Sequence, residues 1–485
     1  MVNPLRVISV VGIILMFVGA MMIFPWLISL IYRDGDSSAL LWSVIITLLA
    51  GLSGYLIGRR QKDISLRDGF AVVTLGWLAM AFAGALPFYF SGSIPTFSDS
   101  LFESMSGLST TGATILGTSI SIKSLPHGIL FWRSLTQWIG GMGIILLSLA
   151  ILPLLKVGGM QLYRAEFPGP VKDKLTPRIR DTAEILWEVY LLFSAIEFML
   201  LFAGGMSAFD AACHTFTTMS SGGFSTHDGS IGAFDSRFIH YVIIIFMFIS
   251  GVNFALHYRL LKGKPQAMWA SVEFRMYLLL IASFTAIVMT SNLLRHQFDS
   301  LEEVFRQSLF HVIAIMTTTG FVISDWGMWG EFVQIVMVLL MLIGGMAGST
   351  SGSIKVIRIQ ILLKQIQTEL RRLIHPHAVL PLRIGNSLIE KGIARNVLTF
   401  ILVFGIILFV STAIIAAAGY DLVTSFGASV ACLANIGPSL GMVGPSSNYS
   451  HFPQFIKWML VALMMLGRLE VFTVMVLFSR HYWRR

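Results

Sequence analysis

The stretch Leu108-Ser-Thr-Thr-Gly-Ala-Thr114 is short, small and polar, and it lies between long apolar runs. Similar pieces recur at Met219-Ser-Ser-Gly-Gly-Phe-Ser225, Met316-Thr-Thr-Thr-Gly-Phe321 and Ala434-Asn-Ile-Gly-Pro438. Non-helical backbone at membrane depth is tolerated only where it is buried in protein or lines water. Glycine admits positive φ, so successive carbonyls can be turned toward one axis. Four such loops around that axis would present rings of carbonyl oxygens able to replace an ion's hydration shell. The expected ligand groups are Thr110, Thr111 and Gly112, then Ser221, Gly222 and Gly223, then Thr318, Thr319 and Gly320, and finally Asn435, Ile436 and Gly437. Ser109, Ser220 and Thr317 add hydroxyls that either face the ion or brace the loops. No carboxylate ring stands at the glycine positions, which favours a monovalent over a divalent cation.

A second group of residues suggests a gate. In Gly344-Gly-Met-Ala-Gly-Ser-Thr-Ser-Gly-Ser353 nine of ten residues are Gly, Ala, Ser or Thr. Glycine in a helix interior costs ~1 kcal/mol relative to alanine, so the four glycines here predict a break. The alternative is a small-residue face for helix packing. As an unwound segment, Gly345, Gly348, Ser349, Thr350, Ser351 and Gly352 would form a movable barrier below the loops. Arg468 is the one basic residue inside an apolar span. Burial of a cation is expensive, so it should face a wet or polar interior; two roles stand, a gating barrier near the axis or a structural partner such as Glu470. Glu103, His214 and His311 share one repeat position, where bracing hydrogen bonds are preferred to ion ligation. Gly140, Gly141, Gly143 and Gly251 are read as close helix-packing positions, and Cys213 and Cys432 as small core fillers.

These groups need elements to hold them. The chain has 485 residues, 55% hydrophobic and only 12% charged, against about 25% charged in soluble domains. Lipid is therefore its solvent. Residues 7–31 are too long for a signal-peptide core and have no small-residue cleavage site after them, so they read as a retained span. Residues 40–58 and 70–90 are further spans. Residues 97–108 are too few to cross a bilayer, which needs ~20, and the loop at Gly112 and a span over 127–155 follow.

This unit of span, half-helix, polar loop and span recurs. The second copy runs through 185–204, 209–218, 220–225 and 238–261. The third has 276–294, 305–315, 317–321 and 332–354, and the fourth 397–418, 423–433, 435–438 and 455–478. Aligning Gly112, Gly223, Gly320 and Gly437 also brings Gly141, Gly251, Gly345 and Gly467 into near register. The expected architecture is an all-α polytopic membrane protein with four pseudo-fourfold repeats of helix, pore half-helix, filter loop and helix. An N-terminal helix pair (1–68) precedes repeats at 69–180, 181–270, 271–390 (with the intramembrane gating loop) and 391–485.

Charge sets the orientation. Of the 34 Lys and Arg, only Arg33, Lys123, Arg133, Arg237, Arg295, Arg306 and Lys457 fall in segments on one side, and Arg468 within a span. The rest crowd the other side, which places both termini in the cytoplasm. The net charge of +9 thus reports topology and not nucleic-acid binding. Each short segment must dip in and return as a re-entrant loop.

Together these features resemble the membrane subunit of the Trk/Ktr-type potassium transporters, over nearly the full length. The resemblance implies K⁺ uptake across the bacterial inner membrane, with one pore per protomer of a homodimer. It further implies a cytosolic, nucleotide-binding regulatory partner of the TrkA kind. By that likeness Gly112, Gly223, Gly320 and Gly437 form the filter, and residues 345–353 the intramembrane loop with Arg468 against it. Ile436 and Pro438, flanking the fourth glycine, depart from the pattern and imply an asymmetric, less strictly K⁺-selective filter.

There is no phosphate-binding Gly-Lys-Ser/Thr loop, no nucleophile elbow and no zinc spacing. The expectation is a transporter without cofactor, not an enzyme, on which any nucleotide acts through another chain. The basic stretches 164–180 and 355–395 suit either such a partner or anionic lipid. A stoichiometric K⁺/H⁺ or K⁺/Na⁺ symporter on the same scaffold is the alternative, separated from a pore by whether the reversal potential ignores pH and Na⁺.

Overall fold

A computed structural model describes residues 2–59, 65–117, 120–151, 179–378, 380–385, 387–389 and 391–483. Residues 164–178 of the expected docking stretch 164–180 lie outside them, as do Arg60, Lys62, Lys156, Arg484 and Arg485. The described chain is almost wholly helical, with one short antiparallel pair, Arg383–Ile384 with Ser387–Leu388. Among the described residues six helices are long and apolar enough to cross a membrane, and two bent pairs pass the same test together. Their outward faces carry large apolar side chains, such as Leu402 at 65% and Phe409 at 77% exposure, as a lipid surround requires.

The N-terminal pair packs Pro4–Met21 against Ser37–Gly58. The backbones approach closely there: a Cβ on Gly51 would lie 2.8 Å from the Gly12 carbonyl oxygen.

Four short helices lie inside the bundle: Phe97–Leu108, Ala208–Met219, Leu301–Met316 and Leu422–Ala434. Each opens on a side chain that caps the third residue's N–H, respectively Thr96, Ser207, Ser300 and Asp421. Such a cap satisfies donors that a buried helix start would otherwise strand. Their inner turns are sealed, from Leu101 to Leu108 in the first and from Val430 to Ala434 in the last.

Two of the four long helices after the loops differ from the expectation of plain spans. The first, His127–Ile151, is continuous. The second, expected unbroken over 238–261, is Arg237–Ser250 and Phe254–Leu261, bent by 104°. Asn253 restarts it, accepting from the Ala255 N–H at 2.8 Å. The third stops at Met341 and resumes at Val356, so the glycine-rich stretch is non-helical, as its composition predicted. The fourth, expected unbroken over 455–478, is Gln454–Arg468 and Phe472–Phe478, bent by 109°. Its break carries Glu470 and Val471 at positive φ, which periodicity does not reveal.

Candidate functional site

All four polar loops leave the C-terminal ends of the short helices, and they share one backbone plan. Thr110, Ser221, Thr318 and Asn435 have φ between 52° and 60°, and two residues on Gly112, Gly223, Gly320 and Gly437 have φ between 72° and 93°. Each loop thus has two positive-φ residues separated by one residue that lacks it, an alternation able to turn successive carbonyls toward one axis. Glycine adopts this conformation at no steric cost, whereas Thr, Ser and Asn do so only when surroundings hold them there.

The glycines form a closed ring. A Cβ on Gly112 would run into the Gly222 carbonyl oxygen, on Gly223 into that of Thr319, and on Gly320 into that of Ile436. On Gly437 it would lie 2.8 Å from the Thr111 carbonyl oxygen. Each loop therefore presses its glycine against the residue preceding the next loop's glycine, in sequence order and back to the start. All four glycines line a single cavity of about 100 Å³ that also holds Arg133, Asp228 and Tyr449. Thr110, Thr111, Ser221, Thr318, Thr319, Asn435 and Ile436 are all fully buried.

A layer of side chains fixes this ring from behind. Glu103 accepts from Arg133 Nε at 2.6 Å, the Thr114 hydroxyl at 2.8 Å and the Ile115 N–H at 3.1 Å. His214 bridges the Asp210 carbonyl (2.8 Å) and the Ser225 hydroxyl (2.9 Å). His311 reaches the Gln307 carbonyl (2.8 Å) and accepts from the Ile323 N–H at 3.4 Å. All three groups at this repeat position thus hold the chain just past their loops. Among the described residues no group of three His, Cys, Asp or Glu side chains could hold a metal ion.

Three of the cations assigned to the outer surface are inside instead. Arg133 is 2% exposed and also donates to the Ser225 carbonyl at 2.8 Å, Lys457 donates to Asp99 at 2.6 Å, and Arg306 donates through Nε to Glu302 at 2.9 Å. Gln137 and Tyr449, which sequence reasoning passed over, bond filter-loop backbone directly. The one signal for Gln137 was a neutral polar residue inside an apolar span.

The glycine-rich segment packs directly on the loops. Thr350 Oγ1 lies 2.7 Å from the Ser221 hydroxyl and donates to the Met219 carbonyl at 3.1 Å. The Gly352 N–H donates to Thr318 Oγ1 at 2.7 Å. On the other side Gly345 N–H meets Ser351 Oγ at 3.0 Å, and Ser349 and Ser351 hydroxyls are 2.7 Å apart. A Cβ on Gly348 would lie 2.9 Å from the Asn253 amide. Glu273 Oε1 accepts from the Ala347 N–H at 2.8 Å and the Ile357 N–H at 3.2 Å.

Arg468 is buried and donates through Nη1 to the Thr350 carbonyl at 2.8 Å and through Nη2 to the Gly140 carbonyl at 3.0 Å. Its Nε has no hydrogen-bond partner among the described residues. Glu470, the carboxylate considered for it, pairs with Arg358 at 2.7 Å.

Residues 36–485 match the family model described as TrkH, cation transport protein. The chain is 44% identical to the Trk system potassium uptake protein TrkH of Salmonella typhimurium over 98% of both chains. It is 34% identical to the Trk system potassium uptake protein TrkG of Escherichia coli, over 96% of this chain and 95% of that one. The crystal structure of the potassium transporter TrkH from Vibrio parahaemolyticus superposes with a TM-score of 0.91 at 36% identity, covering 99% of this chain and all of the other. With a family match across most of its length and relatives well above 30% identity, the chain belongs to the TrkH family of cation transport proteins.

Proposed function

We propose that the four loops form the ion path of a potassium-uptake pore in the bacterial inner membrane. The ring at Gly112, Gly223, Gly320 and Gly437 is its selectivity filter, and residues 345–353 with Arg468 form its gate. The observation that carries this reading is the closed sequence of glycine-to-carbonyl approaches around one cavity. A dehydrated monovalent cation is served by carbonyl oxygens at fixed spacing, with no carboxylate among them. Potassium as cargo follows from the relatives, which are named as potassium uptake proteins.

In this reading the chain divides into the N-terminal pair (1–68) and four pore units (69–180, 181–270, 271–390, 391–485), with both termini cytoplasmic. The buried segment at Thr350 closes the path below the loops, and Arg468 holds it shut from the fourth unit. A cytosolic nucleotide-binding partner of the TrkA kind would act on the inner ends of these elements. The helix Val356–Ile374, with Arg371 and Arg372 in its last turn and Leu370, Leu373 and Ile374 exposed, offers it a continuous lever from the gate. Two such chains would form the working homodimer.

Gly112→Ser tests the filter. A side chain at φ +78° carries ~1–2 kcal/mol of strain and drives Cβ into the Gly222 carbonyl. K⁺-over-Na⁺ permeability in proteoliposomes should fall; an unchanged ratio in a well-folded variant contradicts the assignment.

A further inference from the structure

The filter is fourfold in backbone but not in chemistry. Gln137 Nε2 donates to the Gly222 carbonyl at 2.7 Å, and the Tyr449 hydroxyl donates to the Gly437 carbonyl at 2.7 Å. Both side chains are buried. The Gln137 orientation is fixed by a second bond: the Phe224 N–H can only donate, so the atom 3.0 Å from it is Oε1 and the amino group must face Gly222. Among the described residues the carbonyls of Thr111, Gly112, Gly223, Thr319, Gly320 and Ile436 accept no hydrogen bond. One carbonyl at each of two levels is therefore engaged by a protein donor while its counterparts are free.

Sequence shows that the Gln137 contact is specific to one unit. A Cβ on Gly222 would overlap the Gln137 amide, so the second glycine of loop two makes room for it. Thr111, Thr319 and Ile436 stand at the matching place in the other loops. At the position equivalent to Gln137 the other lining helices carry Met247, Met341 and Leu463, none of which can donate.

We propose that Gln137 and Tyr449 are specificity-determining residues, each withholding one filter carbonyl from the permeating cation, so that each level offers three free carbonyls in place of four. This rests on the reading of these loops as the ion path. A bonded carbonyl points part of its lone-pair density at the donor, and the donor's positive end faces the ion. The cation must then keep a water or accept fewer ligands at that level. A path with an incomplete ring discriminates less well between K⁺ and the smaller, more strongly hydrated Na⁺, because replacement of the K⁺ hydration shell is incomplete.

The distinguishing consequence is a gain. Tyr449→Phe keeps the ring packed 5.5 Å from Phe102 and removes the hydroxyl alone, which is the donor to Gly437 and also a partner of the Cys432 thiol. Bi-ionic reversal potentials should be measured on the full-length protein in proteoliposomes, for wild type, Tyr449→Phe, Gln137→Met and Gly112→Ser. Tyr449→Phe should raise the K⁺-over-Na⁺ ratio about fivefold, the equivalent of one net hydrogen bond of ~1 kcal/mol, and Gln137→Met should move it the same way. If Gly112→Ser lowers the ratio but Tyr449→Phe leaves it unchanged or lowers it, the hydroxyl merely braces the loop and the proposal is overturned. If Gly112→Ser also leaves the ratio unchanged, the filter assignment itself fails.

Discussion

Replacing Arg468 by alanine should open the pore, and the structure sets the size of the effect. The guanidinium makes two hydrogen bonds, to the Thr350 carbonyl at 2.8 Å and the Gly140 carbonyl at 3.0 Å. Gly140 lies on the continuous helix His127–Ile151, so that bond positions the guanidinium, and only the bond to Thr350 bears on the glycine-rich segment. A hydrogen bond from a charged donor contributes ~1.5–3 kcal/mol, which shifts a closed-to-open equilibrium by about 10- to 150-fold. The segment is not released outright. Thr350 Oγ1 still reaches Ser221, Gly352 N–H still reaches Thr318, and Ala347 N–H still reaches Glu273. Tracer Rb⁺ influx into proteoliposomes under a fixed K⁺ gradient reads the change, with monodispersity as the check on folding. Arg468→Lys separates a clamp from a charge barrier, because lysine keeps the charge but cannot span both carbonyls. A clamp predicts flux between wild type and alanine, whereas a barrier predicts wild-type flux. A monodisperse Arg468→Ala protein with flux at or below wild type would refute the clamp.

Shortening residues 345–353 by three should likewise raise Rb⁺ influx without the regulatory partner, since the shorter segment cannot reach both Ser221 and Thr318; unaltered influx would argue against a gate there. Glu103→Gln leaves the Arg133 guanidinium buried without its carboxylate, a loss of ~3–5 kcal/mol for a buried pair. The melting temperature in detergent should fall by several degrees, and a change within error would show that the pair is not structural.

The spacing of the four polar loops already pointed to short helices and re-entrant chain, because half-helices too short to span a bilayer have few alternatives. The helix break at 344–353 was also legible, since four glycines within ten residues outweigh the apolar context. The bends after Ser250 and Arg468 were not. At Ser250 the only cue is Gly251 ahead of a capping Asn253. At Arg468 the break places Glu470 and Val471 at positive φ, a geometry imposed by tertiary contacts such as Arg358 with Glu470. The interior cations were missed for a related reason. Arg133, Arg306 and Lys457 stand within the first two turns of their helices, where charge normally marks the membrane surface, and only the fold brings Glu103 to Arg133 and Asp99 to Lys457. Likewise, Thr110, Ser221 and Thr318 do not advertise positive φ by residue type. The glycine two residues on is the visible half of a conformation shared by both.

The central claim is that cations pass through the ring at Gly112, Gly223, Gly320 and Gly437. Anomalous diffraction from crystals grown in Rb⁺ or Tl⁺ tests it most directly. A peak is expected on the axis of that ring, coordinated by loop carbonyls and lost when Na⁺ replaces the heavier ion. A peak elsewhere in the protein, with none at the ring, would contradict it.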